Sequence, residues 1–350
     1  TLGMAQLQLM QMVPVAGQLG LAGRVADAQA SAESERATDM TWEVRTQAAM
    51  AFYDLYTTDQ SIVVARETLR LLQDIAKTAE SMYRVGEGRQ TDVLRARVEI
   101  ARMTEDTLRM RTMRTGMSAR LNALLNRAAD AGVETPALPL FPDSIPALSF
   151  LQDIAQSGRP MIRAGIEIVQ GSNASLKLAR RDLFPDLQVG VQYGQRGSAM
   201  GTERMGSLML GASVPIFARS RQFKMREEAS AMRAMAEADL AAMRADTRGK
   251  VAESFANLSR ARNLAVLYRT TVLPQAEATV SSASAAYRVG TVDFMTLLDG
   301  RMIVNKYRQE LFALDAEQGK SWAELEMLLG RELFDPNDTL RSVAGSGGVR

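Results

Sequence analysis

The chain spells one short stretch twice, Tyr83-Arg84-Val85-Gly86 and Tyr287-Arg288-Val289-Gly290, at an offset of 204 residues (83 to 287). Downstream the match runs on without a gap. Leu94 falls on Leu298, Arg97 on Arg301 and Leu121 on Leu325, and Leu-Asn-Ala-Leu-Leu-Asn-Arg at 121–127 answers Leu-Glu-Met-Leu-Leu-Gly-Arg at 325–331. Upstream the register slips. Arg45, Phe52 and Leu55 meet Arg248, Phe255 and Leu258 at an offset of 203, and Val13-Pro14 meets Val214-Pro215 at 201. The chain is a duplicated unit of about two hundred residues, and each half is read through the other.

Around each copy the hydrophobic period changes in the same order. Residues 2–14 alternate, with Leu7, Leu9 and Val13 on one face and Gln6, Gln8, Met10 and Met12 on the other. The second half repeats this with Leu208, Leu210, Ala212 and Val214 against Ser207, Met209, Gly211 and Ser213. A further strand precedes it, with Leu187, Val189, Val191 and Tyr193 against Gln188, Gly190, Gln192 and Gly194; a Gly-rich polar loop, Arg196 to Arg204, joins the two. Strands of about ten residues, apolar on one side and polar or small on the other, fit a transmembrane β-barrel with lipid outside and water inside. The same alternation also fits a soluble half-buried hairpin.

After each Val-Pro the apolar spacing becomes helical. A helix is predicted from about Gly17 to Met82, on the order of 100 Å long at 1.5 Å per residue. Gly86 and Gly88 break it, and Thr91 with Asp92 offers a cap for a return helix to about Arg127. The second half predicts a helix from about Arg219 to Tyr287, kinked at Pro274, a turn at Gly290 and a return from about Asp293 to Leu329. Seams such as Met103, Met110, Met113 and Met117 point to coiled-coil packing of antiparallel hairpins. The domain reading is a first repeat over 1–130, a connecting loop and helix over 131–183 (Pro136, Pro139, Pro142 and Pro146, then a helix from Pro160), a second repeat over 184–333 and a disordered tail over 334–350.

Composition closes off several function classes. There is no Cys and no His, so Ser-His-Asp, Cys-His, Cys/His zinc and thiol redox sites are impossible within the chain. A net charge of +2 suggests neither nucleic-acid binding nor an acidic tail. Mean hydropathy of −0.12 with 23% charged residues excludes a helical membrane protein. The 21 Met invite a soft-metal reading, but most lie at helical spacing where Met fills cores; Met10, Met12 and Met209 stand on the side of the strands expected to face water. No metal ligand, cofactor or catalytic residue is assigned.

These residues resemble the TolC-type outer-membrane efflux proteins. The doubled Tyr-Arg-Val-Gly turn, the following Leu94 or Leu298, the Leu-Leu-x-Arg ends, Phe184-Pro185-Asp186-Leu187 entering a strand and Val214-Pro215 leaving one carry the resemblance across about residues 1–333. It implies a mainly α fold with membrane β-strands: a trimeric, twelve-stranded barrel continued by a long α-helical coiled-coil tunnel. The chain opens inside a pattern that its second half shows complete, so the family's N-terminal helix and first strand are expected to precede it. The implied function is passive export of metal ions or small toxic compounds through the outer membrane of a Gram-negative-type bacterium, with the tunnel in the periplasm. The implied partners are two further copies, a periplasmic adaptor, an inner-membrane pump of the RND type and outer-membrane lipid. The Gln-rich opening strand and the methionines lean towards the heavy-metal branch.

The resemblance also implies site roles. The Tyr-x-x-Gly turns would sit at the periplasmic tip, with Arg84, Val85, Gly86, Arg288, Val289 and Gly290 contacting the adaptor. Aspartates after the second turn would line the gate; Asp299 falls on one such position and Thr296 replaces the other, while Val292 stands where a gating arginine is expected. Tyr287 and Asp92, the repeat partner of Thr296, complete the gate set. A ring of carboxylates near a symmetry axis would favour cations. The competing readings are a soluble periplasmic coiled-coil adaptor or scaffold, which would lack strands flanking each hairpin pair, and an enzyme, for which no pocket motif is present.

Overall fold

A computed structural model of the chain describes residues 4–14, 17–135, 137–142, 144–198, 201–213 and 220–333. The predicted tail, Pro136 and the Val214-Pro215 strand exit lie outside the described residues. The elements are β1 (Met4–Val13), α1 (Gln18–Arg84), α2 (Gln90–Leu124), α3 (Leu148–Gly158), α4 (Pro160–Arg181), β2 (Asp186–Ser198), β3 (Gly201–Ser213), α5 (Gln222–Leu267), a π-helical turn (Tyr268–Val272), α6 (Leu273–Arg288) and α7 (Phe294–Leu329). They divide into two compact units, residues 1–38 with 160–246, and residues 39–159 with 247–350.

The first unit holds the sheet, ordered β1-β2-β3 and antiparallel throughout. The register pairs Leu9 with Val191 and Val191 with Leu208, and pairs Gln8 with Gln192 and Gln192 with Ser207. The alternation read in each strand therefore adds up to one continuous apolar face and one polar face. The expected loop over 196–204 is corrected. β2 and β3 stay paired through Arg196–Glu203, Gly197–Thr202 and Ser198–Gly201, because ladder hydrogen bonds are made by backbone and do not require apolar side chains. In the same unit α4 lies close to α1, where a Cβ on Gly171 would stand 3.3 Å from that of Ala28, and Arg163 ties α4 to Glu35 at 2.9 Å.

The second unit packs two helical hairpins together. Their shared core includes Leu72 and Ala79 of α1, Val93 and Ala96 of α2, Val280 of α6, and Phe294 and Leu297 of α7. Repeat partners are buried alike further along: Leu55 with Leu258, and Leu121 with Leu325. The partners Asn122 and Glu326 do equivalent work. Asn122 Nδ2 donates to the Ala129 and Ala131 carbonyls, at 3.4 and 2.8 Å, and Glu326 Oε1 accepts from the Leu333 amide at 3.0 Å. Each tethers the chain just beyond its helix.

The break in the second long helix is a π-turn immediately before Pro274, in which the Leu273 amide donates to the Tyr268 carbonyl, five residues back. One inserted residue in an α-helix gives this pattern. The offset between the repeats grows from 203 at Leu55/Leu258 to 204 at Tyr83/Tyr287, and the π-turn lies between those positions. α1, which has no such insertion, is helical throughout its 67 residues. Two further expectations are corrected. α2 begins behind Arg89, which makes no side-chain cap, so Asp92 lies inside the first turn instead of capping it. The connection holds two helices, α3 and α4, where one was expected.

Candidate functional site

The twice-spelled turn is a helix stop. Gly86 has φ +82° and Gly290 has φ +75°, the left-handed region that a side chain disfavours. The Gly86 and Glu87 amides donate back to the Tyr83 and Met82 carbonyls at 3.1 and 2.9 Å, and the Gly290 and Thr291 amides donate to Tyr287 and Ala286 at 3.1 and 3.0 Å. Both are Schellman caps, which satisfy the carbonyls that a helix end leaves free. The other repeated ending is the same device: Gly330 at φ 64° and its partner Asn126 at φ 52° end α7 and α2. Val85 and Val289 project from the turns, 69% and 73% exposed, flanked by the exposed Arg84 and Arg288.

Around the turns the two copies part company. Tyr83 is 45% exposed, whereas Tyr287 is 6% exposed and packs edge-on against Phe294 with ring centroids 6.0 Å apart. Burial raises the Tyr287 hydroxyl pKa, and the nearby Asp92 carboxylate adds to the rise. Tyr287 is thus part of the hairpin core, and Asp92, half-buried at the start of α2, is the candidate residue it faces. Asp299 is exposed on α7, and among the described residues no hydrogen bond or ion pair holds its carboxylate. Leu94 shows the same asymmetry, 53% exposed against 4% for Leu298.

Thr296 is occupied. Asp293, the N-cap of α7, accepts from the Thr296 amide at 3.0 Å and from its hydroxyl. The Thr296 hydroxyl, then its amide, hold the Asp293 carboxyl below the usual range. A depressed folded-state pKa contributes stability that is complete above the unfolded value and lost as pH falls through the folded one. Comparing Asp293→Ala with the parent, the gap in melting temperature should therefore be present at pH 7 and close as pH drops below the ordinary Asp range. A gap independent of pH would mean that the carboxylate's charge plays no part in the cap.

Sequence reasoning missed a charged cleft between α1, α6 and α7. Arg301 and Arg308 of α7 line a space of about 170 Å³ with Glu67, Thr68 and Glu277. Arg308 bridges Glu67 at 3.1 Å and Glu277 at 2.6 Å, whereas the Arg301 Nε has no hydrogen-bond partner. Burial, then the neighbouring Arg308, lowers the Arg301 pKa. Its repeat partner Arg97 is exposed, and nothing in the two sequences marks the difference.

The second candidate surface is the sheet. Leu7, Leu9, Leu208 and Leu210 of the apolar face are 67–76% exposed, an extent of bare aliphatic surface that marks contact with lipid or protein. The polar face carries Gln8, Gln192 and Ser207, the Ser207 hydroxyl 3.4 Å from Gln192 Oε1. Among the described residues no helix is long and apolar enough to cross a membrane, and no group of three His, Cys, Asp or Glu could hold a metal ion.

Comparison with known proteins adds to this geometry. The family model for outer membrane efflux protein matches residues 151–331. The cobalt-zinc-cadmium resistance protein CzcC of Cupriavidus metallidurans is 22% identical over 298 residues, 83% of this chain and 68% of that protein. The solved outer-membrane channel OprN superposes with a TM-score of 0.83 at 18% identity, over 94% of this chain and 80% of its own. The outer membrane protein VceC of Vibrio cholerae does so with a TM-score of 0.81 at 14% identity, over 95% and 88%.

Proposed function

The chain belongs to the outer membrane efflux protein family, and on that premise we propose that it is the outer-membrane duct of a tripartite efflux system. The fold is that of the TolC-type channels, mainly α with membrane β-strands. The family is one of channel proteins, and the reading here is passage without catalysis. The observation that carries it is the register of the sheet, which gathers the alternating residues of three strands onto one bare apolar face and one amide-rich face.

The three described strands leave β1 and β3 as open edges. Such edges invite pairing, and a barrel is completed only when every edge is joined. Further copies of the chain supply the joining strands in this reading, as a homotrimer. The hairpins of the second unit form the periplasmic tunnel, and the division into two repeats with a connecting segment is kept. The tip turns, with Val85 and Val289 each beside an exposed arginine, meet the periplasmic adaptor, and an RND-type pump stands behind it in the inner membrane. Of the expected gate set, Asp299 and Asp92 remain as lining residues; Tyr287 and Thr296 act from behind, one in the core and one in the cap.

The cargo is metal ions or small toxic compounds, and the likeness to CzcC leans towards metals. A soluble coiled-coil adaptor also carries long hairpins, but a bare apolar sheet face has no place in it. The test is fractionation of full-length protein. Recovery with the outer membrane, and aggregation when detergent is withdrawn, is the expected result; folded protein soluble without detergent would overturn the duct.

A further inference from the structure

All the methionines of the three strands lie on one face of the sheet. In the register, Met4, Met10 and Met12 of β1 and Met205 and Met209 of β3 share the side of Gln8, Gln192 and Ser207, while the opposite face is made of Leu, Val, Tyr and Ala with a few polar residues. A methionine that merely fills apolar space belongs with the leucines or in a core. Here there is no core behind it: Met10 and Met12 are each 55% exposed on the amide face. The segregation calls for a different use of the thioether.

Two of these side chains flank one glycine, and a third, Met12, follows on the same face opposite Gln188. Gly190 of β2 is paired with Met10 on one side and Met209 on the other. A Cβ on Gly190 would stand 3.4 Å from the Met209 methyl carbon and 3.6 Å from its Cβ, so Met209 is laid over the glycine. Strands neighbour at about 4.8 Å, which puts Met10 and Met209 about 10 Å apart at the backbone, and Met12 follows Met10 on the same face after about 7 Å. Each side chain has three rotatable bonds and a polarizable sulfur, a reach that lets the three sulfurs converge above Gly190.

We propose that Met10, Met12 and Met209 form a binding site for a soft monovalent metal cation, Cu(I) or Ag(I). Neutral thioethers select such ions over Zn(II) and over hard cations, and they need no deprotonation to do so. Carboxylates are absent from this triad, so divalent hard ions gain nothing there. The proposal rests on the duct reading in one respect: it makes the amide face the wall of the lumen and the bound ion a cargo in transit.

The experiment measures Ag(I) retained by purified full-length protein in detergent after gel filtration. The parent is compared with a Met10→Leu, Met12→Leu, Met209→Leu variant and with a Met225→Leu, Met232→Leu, Met235→Leu control on the exposed surface of α5. Met-to-Leu exchange conserves volume and should leave the fold intact. The strand variant should lose one Ag(I) per chain relative to the parent, the helix control none, and Zn(II) retention should be the same in all three. Equal Ag(I) in the parent and the strand variant overturns the site. Conductance of the same preparations judges the duct separately. A strand-specific Ag(I) loss without pores would keep the site and remove the duct; pores with equal Ag(I) would do the reverse.

Discussion

Gly158→Ala should destabilise the protein by about 3 kcal/mol, the upper end of what overpacking a tight interface costs. Gly158 ends α3, and a Cβ there would stand 2.5 Å from the carbonyl oxygen of Leu329, the last residue of α7. The obstacle is backbone, so no rotamer change can relieve it. α3 or the end of α7 must move, and Leu329 is wholly buried in a core shared with Leu151, Val251 and Trp322. Gly132→Ala is the control, because nothing lies within 4 Å of the added carbon. A melting temperature several degrees lower for Gly158→Ala, with no change for Gly132→Ala, is the expected outcome. Equal melting temperatures would show that α3 does not need this close approach.

The second large effect concerns Arg114. Its Nε and Nη2 donate to the two oxygens of Asp59 at 2.5 and 3.1 Å, and Nη2 also donates to the Val133 carbonyl at 3.0 Å. One guanidinium thus joins α1, α2 and the connection, and its hydrogen bond to the Asp59 carboxylate holds its pKa up. The Asp59 side chain is 8% exposed and Arg114 29%. Arg114→Met leaves a buried carboxylate without its partner, which costs about 3–5 kcal/mol when water is excluded. Partial exposure lets water reach the site, so about 2–4 kcal/mol is expected. Adding Asp59→Leu to Arg114→Met should recover part of the loss, since removing both partners strands no charge. A double variant less stable than the single would contradict this account of the pair.

Much of the fold was legible because the duplication supplied two readings of each element. Alternation at Leu7 and Leu9, and at Val189 and Val191, encoded the faces of the sheet directly, and the register joined them. The strand ends were misread because beyond Gln195 the side chains are polar or glycine, although the backbone pairing continues. α3 follows directly on the Pro-rich stretch that reads as loop, yet Leu148, Leu151 and Ala155 recur at helical spacing, a signal that was available. The π-turn is written in the sequence as a one-residue slip between the repeats, a signal separate from Pro274. The repeated turns were legible in the sequence, but their asymmetry was not. Tyr83 and Tyr287 sit in identical four-residue motifs, and only the neighbouring helices bury one and leave the other bare.

The most direct test of the duct is single-channel conductance of full-length protein in planar bilayers, parent against Asp299→Ala. Steady pores whose preference for cations falls in the variant are expected, because removing an exposed carboxylate from each copy weakens the negative potential at the constriction. Folded protein that opens no pores would contradict the duct itself. Pores with unchanged selectivity would place the constriction away from Asp299.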